Sequence, residues 1–353
     1  MRKRSMFLLA AVLLLAGLCA AQSLVLDMPR QSQRAAVSQR LGITDITITY
    51  HRPLVNDRKV WGTLVPFGQV WRAGANENTV IVLSDPVTIE GKPLEKGAYG
   101  LFMIPAENEW TIIFSRNSTS WGAFTYDQKE DALRVTVKPQ TSEFRNALAY
   151  EFDQLNSGSA LVTLHWERVA VPFKVSVDVP HIVEASLQRQ LRSLSQYTWV
   201  SWDEAANYLL ENKGDPEQAL KYADNSLQNE ERFENLITKS KAQERLGKKD
   251  EAMAVRNKAF ERGTPLQVHL YARGLQADKR QDEAFAVFRS NAQKFPNAWV
   301  THTGMARVYS GTGDFDNAVK EMKLAVDGAP DKQQKTYLEG LVRRLEAKED
   351  INK

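Results

Sequence analysis

The sequence predicts a multidomain protein: an antiparallel β-sandwich or barrel followed by an α-solenoid of helix-turn-helix repeats. Between about residues 40 and 180, apolar and polar residues alternate in short runs, which is the pattern of half-buried strands. After Pro180 the apolar residues recur at helical spacing, as in Leu187, Leu191 and Leu194. The length of 353 residues suits about two domains.

The first half contains eight or nine short strand-like runs. In the first of them, Ile46, Ile48 and Tyr50 alternate with polar residues. Turn sequences such as 90–93 and 156–158 separate the runs, and short strands with regular turns are typical of sandwiches and barrels. The other predicted strands are Thr79–Leu83, Pro86–Ile89, Tyr99–Ile104, Trp110–Phe114, Ala132–Val137, Ala147–Phe152, Ala160–Glu167 and Phe173–Val177.

The second half repeats itself. Similar segments place Ala219, Ala252, Ala284 and Ala318 at spacings of 33, 32 and 34 residues, the period of a helix-turn-helix solenoid. The pattern resembles the tetratricopeptide repeat over roughly 200–335. That resemblance implies a curved superhelix whose concave face binds peptide segments or other proteins. The alternative is that these helices only pack on the β-domain or form a dimer.

The repeat pattern is stronger in the third and fourth units than in the first two. In the first two units, positions that are small or apolar in the repeat family are occupied by Ser240, Gln243 and Arg256. The sequence therefore leaves open how these polar side chains are accommodated between helices.

The charge balance argues against nucleic acid as the main partner. The chain has 46 basic and 43 acidic residues, and the excess comes from Arg2, Lys3 and Arg4. Proteins that bind phosphate backbones usually carry a basic surface.

Residues 1–21 have the pattern of a signal peptide, with a basic start and an apolar run. Cleavage is expected between Ala21 and Gln22, which would place the protein in the periplasm or outside the cell, with no stable membrane span. An uncleaved anchor helix and a lipoprotein modified at Cys19 are the alternatives. Since Cys19 is the only cysteine, the cleaved chain would form no disulfide. The expected domains are a signal peptide at 1–21, a β-sandwich at 22–178, a connecting helix at 179–200 and the solenoid at 201–345.

The sequence contains no standard catalytic motif, including the nucleophile elbow, the phosphate-binding P-loop and the zinc-protease helix. We therefore predict no catalytic residue, no metal site and no cofactor. His165 alternates with Leu164 and Trp166 along its strand, which puts it on the opposite face.

One polar cluster interrupts the β pattern between residues 71 and 79. An arginine there offers paired donors to a carboxylate or phosphate, and a neighbouring tryptophan offers a flat face to a sugar. The segment 50–53 ends a strand and is expected at the same end of the sandwich. The candidate ligand-binding residues are Trp71, Arg72, Asn76, Glu77, His51, Arg52 and Arg58.

Two explanations of this cluster remain open. In the structural one, Arg72 and Glu77 form an ion pair beneath Trp71 while Asn76 caps a turn. In the functional one, the cluster binds a ligand. Acid–base chemistry would further require that His51 and Glu77 meet in space.

The β-half also resembles a bacterial family, the domain of unknown function 2911, over about residues 30–178. The segments that carry the resemblance are 39–42, 48–53, 60–62, 64–68, 70–79, 91–94, 96–102 and 110–114. The chain departs from the family at 55–59, where a glycine is replaced although Arg58 is kept. The resemblance implies an exported bacterial protein with helical repeats appended, and it implies no activity.

These observations favour a non-enzymatic scaffold in which the β-domain holds a small polar or glycan ligand and the repeats recruit a protein. One alternative is an envelope or extracellular hydrolase of glycans or esters that uses Glu77 and His51. The other is a purely structural module.

Overall fold

The computed structural model describes residues 29–352, so the signal peptide expected at 1–21 lies outside the described residues. The chain divides into two units, Met1–Val183 and Glu184–Lys353, which we call the β-sheet unit and the helical unit.

The β-sheet unit contains ten strands within the described residues. They are β1 Gln33–Leu41, β2 Thr44–Arg52, β3 Val80–Leu83, β4 Val87–Ile89, β5 Lys92–Leu94, β6 Gly97–Ile104, β7 Trp110–Ser115, β8 Asp131–Val137, β9 Gln140–Asp153 and β10 Ser159–Ser176. A short 3-10 helix, Gln128–Glu130, precedes β8.

The strands form two antiparallel sheets. One has six strands in the order β1-β2-β3-β6-β7-β8, and the other has four in the order β5-β4-β10-β9. Within residues 29–352 the sheets do not close into one barrel, so the sandwich is the correct form of the predicted fold.

Alternate residues of both sheets fill one hydrophobic core. Ile46 and Ile48 of β2 and Val162 and Leu164 of β10 are all fully buried in it. The burial pattern of β2 alternates from Thr44 to Tyr50 as its sequence predicts, because successive side chains of a strand point to opposite faces, and His51 after it is buried as well.

Four strands differ from the prediction. One of them, β9, is longer than predicted because it begins at Gln140 and not at Ala147. β1 was not predicted because most of its residues are polar, yet it pairs along its whole length with β2. The segment predicted as one turn at 90–93 is a two-residue turn followed by β5. The runs 160–167 and 173–177 are one strand, β10, which bends through register shifts between His165 and Val169.

Ten α-helices follow within the described residues. They are α1 Val179–Gln190, α2 Trp199–Glu211, α3 Pro216–Asn229, α4 Phe233–Arg245, α5 Lys249–Arg262, α6 Pro265–Ala277, α7 Gln281–Lys294, α8 Trp299–Gly311, α9 Phe315–Asp327 and α10 Lys332–Glu346. The helix predicted at 179–200 is shorter, because a 3-10 turn, Leu194–Tyr197, separates α1 from α2.

Helices α2 to α9 form four pairs in an arrangement that resembles tetratricopeptide repeats. Ala219, Ala252, Ala284 and Ala318 each occupy the fourth position of the second helix of a pair, and none is exposed to solvent. A small side chain at this position lets the paired helices approach closely. The periodic alanines were therefore a correct signal for the repeat.

The polar residues that weakened the pattern all lie in the second pair, α4 and α5, and have partners inside the structure. Ser240 donates a hydrogen bond of 2.9 Å to the Ala252 carbonyl, and Gln243 donates one of 3.1 Å to Glu251. Arg256 forms an ion pair with Glu244. The helices accept these polar side chains because each finds a partner.

Candidate functional site

The loop 71–79 is fixed by hydrogen bonds to the core of the β-sheet unit. The amide of Trp71 donates to the Met103 carbonyl over 2.8 Å. The carbonyl of Ala73 accepts hydrogen bonds from Thr79 Oγ1 at 3.1 Å and from the buried Tyr150 hydroxyl at 3.0 Å. Ala73 and Asn76 have positive φ angles of 49° and 56°, so the loop follows a tight, defined path.

Gly74 allows two parts of the chain to pack closely in this loop. A Cβ atom there would lie 2.6 Å from Thr79 Oγ1 and 3.3 Å from the His51 carbonyl oxygen. The close approach that glycine allows is therefore to the protein's own chain.

The loop brings Glu77 to the end of β2, where His51 lies. His51 Nε2 is 3.2 Å from Glu77 Oε2, so the two residues meet, as the acid–base hypothesis requires. Arg30 contacts the other carboxylate oxygen, with Nη1 2.6 Å from Oε1, and its guanidinium lies over the exposed ring of Trp121 at 5.1 Å. Glu77 is thus held between a histidine and an arginine.

This environment sets the protonation of both residues. Burial lowers the pKa of His51, Glu77 opposes that shift, and Arg30 and Arg34 reinforce it. The pKa of Glu77 is also lowered, since a backbone hydrogen bond and the charges of His51 and Arg30 outweigh its partial burial. At neutral pH, Glu77 is therefore an anion and His51 a neutral imidazole.

His51 and Glu77 line a cleft of about 690 Å³. Arg30 and Arg34 also line it, and Arg34 is exposed and forms no ion pair within the described chain. Arg34 was missed because β1 was not predicted, and the alternation of Ala35 and Val37 with polar residues is the signal that would have located it. Arg30 lies before that strand, in a segment without such a pattern.

Trp71 lies outside this cleft. Its ring packs against Trp61 at 5.8 Å and Trp166 at 5.9 Å between centroids, and its Nε1 donates to the Gly74 carbonyl over 3.1 Å. It lines a separate cavity of about 280 Å³ together with Arg72. Because its ring belongs to this tryptophan cluster, Trp71 does not offer the free flat face that a sugar needs.

Arg72 does not pair with Glu77, so the expected structural ion pair is wrong. Within the described chain Arg72 has no ion-pair partner, and its buried Nε has no hydrogen-bond acceptor. Burial lowers the pKa of its guanidinium.

The side chains of the other three predicted residues donate hydrogen bonds to backbone carbonyls. Asn76 donates through Nδ2 to the Ser32 carbonyl over 3.1 Å, and Arg52 donates through Nε to the Leu148 carbonyl over 2.8 Å. Arg58 donates to the Val55 carbonyl over 3.0 Å while it lines the cavity that contains Trp71.

We expect Arg72→Met to change the free energy of unfolding of the β-sheet unit by no more than about 1 kcal/mol. Methionine keeps the apolar stem and removes a half-buried charge that has no partner. The measurement is denaturant unfolding of the full chain followed by tryptophan fluorescence.

Arg134→Met is the matched control. Arg134 pairs with the buried carboxylate of Asp131 at 2.5 Å, so its loss should cost about 2 kcal/mol. An equal or larger cost for Arg72→Met would show that Arg72 has a structural role after all.

The helical unit contains a larger groove, of about 910 Å³. It is lined by α2, α4 and α6, the first helices of three successive pairs. Its wall combines apolar side chains such as Phe233 and Leu270 with more acidic than basic residues.

No helix among residues 29–352 is long and apolar enough to span a membrane.

Residues 32–175 match the family model described as protein of unknown function (DUF2911). This match confirms the resemblance found in the sequence. The matched segment includes His51, Glu77 and the whole loop 71–79. No curated protein matches the chain.

Solved structures with a likeness to the chain include repeat proteins. The structure titled "YrrB: a TPR protein with an unusual peptide-binding site" is 15% identical, with 46% of this chain and 84% of that one covered and a TM-score of 0.27. MamA 41-end from Desulfovibrio magneticus RS-1 is 19% identical, with 43% and 97% covered and a TM-score of 0.25. At these TM-scores the likeness is weak, and the four helix pairs with their periodic alanines are what indicate the repeat.

Proposed function

We propose that the protein is an exported, non-enzymatic scaffold whose helical repeats bind a peptide segment of a protein partner. The observation that carries this proposal is the groove lined by α2, α4 and α6. A groove that crosses three repeats can hold an extended segment of chain.

The charges of the groove indicate which segment would fit. Asp203, Glu211, Glu234 and Asp278 line it and form no ion pair within the described chain. Burial raises the pKa of Asp203 and the nearby negative charge of Glu234 raises it further, while Thr238 and the positive charge of Lys241 lower it. A cation placed beside these carboxyls would relieve this cost, so the partner segment should present a lysine or arginine between apolar residues.

The test uses three fluorescent ten-residue peptides that differ only at their two central positions. Both positions are arginine in the first peptide, serine in the second and glutamate in the third, and leucines flank them in all three. We expect the arginine peptide to bind the full chain at least about 10-fold more tightly than the glutamate peptide, by fluorescence anisotropy. The double variant Asp203→Asn, Glu234→Gln should lose most of that preference.

The matched control is Asp316→Asn, Asp327→Asn, which removes the same charge from exposed positions outside the groove. If the control loses the preference as fully as the groove variant, the peptides respond to net charge and the groove assignment fails.

The β-sheet unit would hold a small polar ligand in the cleft of His51 and Glu77. The unpaired Arg34 favours an anionic group, and the covered ring of Trp71 disfavours a stacked glycan. The hydrolase alternative has its two residues in contact, but the lowered pKa of Glu77 keeps it ionised at neutral pH, so it has no proton to donate as a general acid.

A further inference from the structure

A second group of polar side chains lies on the outer face of the four-stranded sheet. Glu151 and Asp153 are two residues apart on β9, and His165 lies on the neighbouring β10. Leu164 and Trp166 point into the core, so His165 points away from it. One potential ligand atom from each of the three residues lies within 4.8 Å of the other two.

His165 is an unusual member of this group because its polar atoms lack partners. Both ring nitrogens are shielded from solvent, and neither has a hydrogen-bond partner among residues 29–352. Nε2 lies 3.5 Å from Glu151 Oε2, within reach of the carboxylate but without a formed hydrogen bond. Ring nitrogens that are shielded from water and make no hydrogen bond lose their hydration, and the contact with Glu151 replaces it only in part unless something binds them.

We propose that Glu151, Asp153 and His165 bind a divalent transition-metal ion of the zinc class. One imidazole nitrogen and two carboxylate oxygens match the ligands that such ions take. Three protein ligands also leave room for water in the remaining position.

The donors need a small adjustment to reach one ion. Two ligands bonded at about 2.1 Å lie at most about 4.2 Å apart, which is less than the present spread. The side chains of Glu151 and Asp153 are partly and largely exposed, respectively, so they can turn toward an ion without disturbing the core.

The protonation of His165 suits a ligand. Burial lowers its pKa, Glu151 opposes the shift and Arg145 reinforces it, so the ring is neutral at pH 7. Only the neutral imidazole has a lone pair to give to a metal.

Arg145 is the competing cation. Its guanidinium forms an ion pair with Glu151, and its Nη2 lies 3.2 Å from Oε2. It therefore orients the carboxylate, and it also opposes a second positive charge beside it. Even with Arg145, the four residues carry a net charge of about −1 when His165 is neutral, which still attracts a cation.

The experiment is a calorimetric titration of the untagged, chelator-treated full chain with Zn²⁺, repeated with Co²⁺ to record its visible absorption. We expect one ion per chain. His165→Gln and Asp153→Asn should each weaken binding at least about 10-fold, and Arg145→Gln should strengthen it about 3-fold.

His302→Gln is the matched control, since His302 and Glu321 form a two-residue histidine–carboxylate pair at 2.7 Å in the helical unit. It should bind zinc as the wild type does. Circular dichroism checks that each variant is folded. Binding only at millimolar Zn²⁺, or equal affinities for the wild type, His165→Gln and Asp153→Asn, would overturn the proposal.

Discussion

Trp166→Ala should lower the free energy of unfolding of the β-sheet unit by about 3–5 kcal/mol. Trp166 is 1% exposed and packs against Trp61 at 5.6 Å and Trp71 at 5.9 Å between ring centroids. Alanine would remove this surface from the core and leave a cavity beneath the loop that carries Arg72 and Glu77. The measurement is denaturant unfolding of the full chain, with tryptophan fluorescence reporting mainly on the β-sheet unit.

Trp121→Ala is the control, because that ring is 53% exposed and its loss should cost less than about 1 kcal/mol. Circular dichroism at 222 nm follows the helical unit, whose transition should not move in either variant. A loss below 1 kcal/mol for Trp166→Ala would mean that the tryptophan cluster is loosely packed and does not support the loop.

The fold was predictable wherever a regular spacing of apolar residues along the sequence determined the local structure. β2 alternates without interruption, and the four alanines mark equivalent helical positions, so both were correctly assigned. β1 was missed because it is an edge strand with polar residues on both faces, and the alternation of Ala35 and Val37 is short beside its polar residues. The single long β10 was split in two because bulges interrupt its alternation near Glu167.

The candidate site was only partly predictable, for a different reason. The sequence located the loop and named His51 and Glu77, but spacing alone cannot show which charges meet. Proximity along the chain suggested that Arg72 pairs with Glu77. In the fold the carboxylate faces Arg30, which is 47 residues away and comes from a segment with no distinctive pattern.

His269→Gln should reduce the acid sensitivity of the helical unit. His269 is 7% exposed and packs on Phe288, and burial, reinforced by Arg307 and Arg273, lowers its pKa from 6.5 to about 3. The unfolded chain therefore binds a proton between these pH values that the folded chain does not. The neutral, buried His269 therefore leaves the free energy of unfolding unaffected above about pH 6.5. As the pH falls below that value, the free energy of unfolding decreases, by about 2–3 kcal/mol at pH 4.5.

The measurement is the free energy of unfolding of the helical unit at pH 7 and at pH 4.5, from urea titrations of the full chain followed at 222 nm. Glutamine does not titrate, so the difference between the two pH values should shrink by about 2–3 kcal/mol in the variant, whatever its stability at pH 7. Carboxylates contribute equally to both proteins and cancel in the comparison. An unchanged difference would mean that the folded unit takes up a proton at His269 near its ordinary pKa, and the imidazole would then have to be open to water and held away from Arg307.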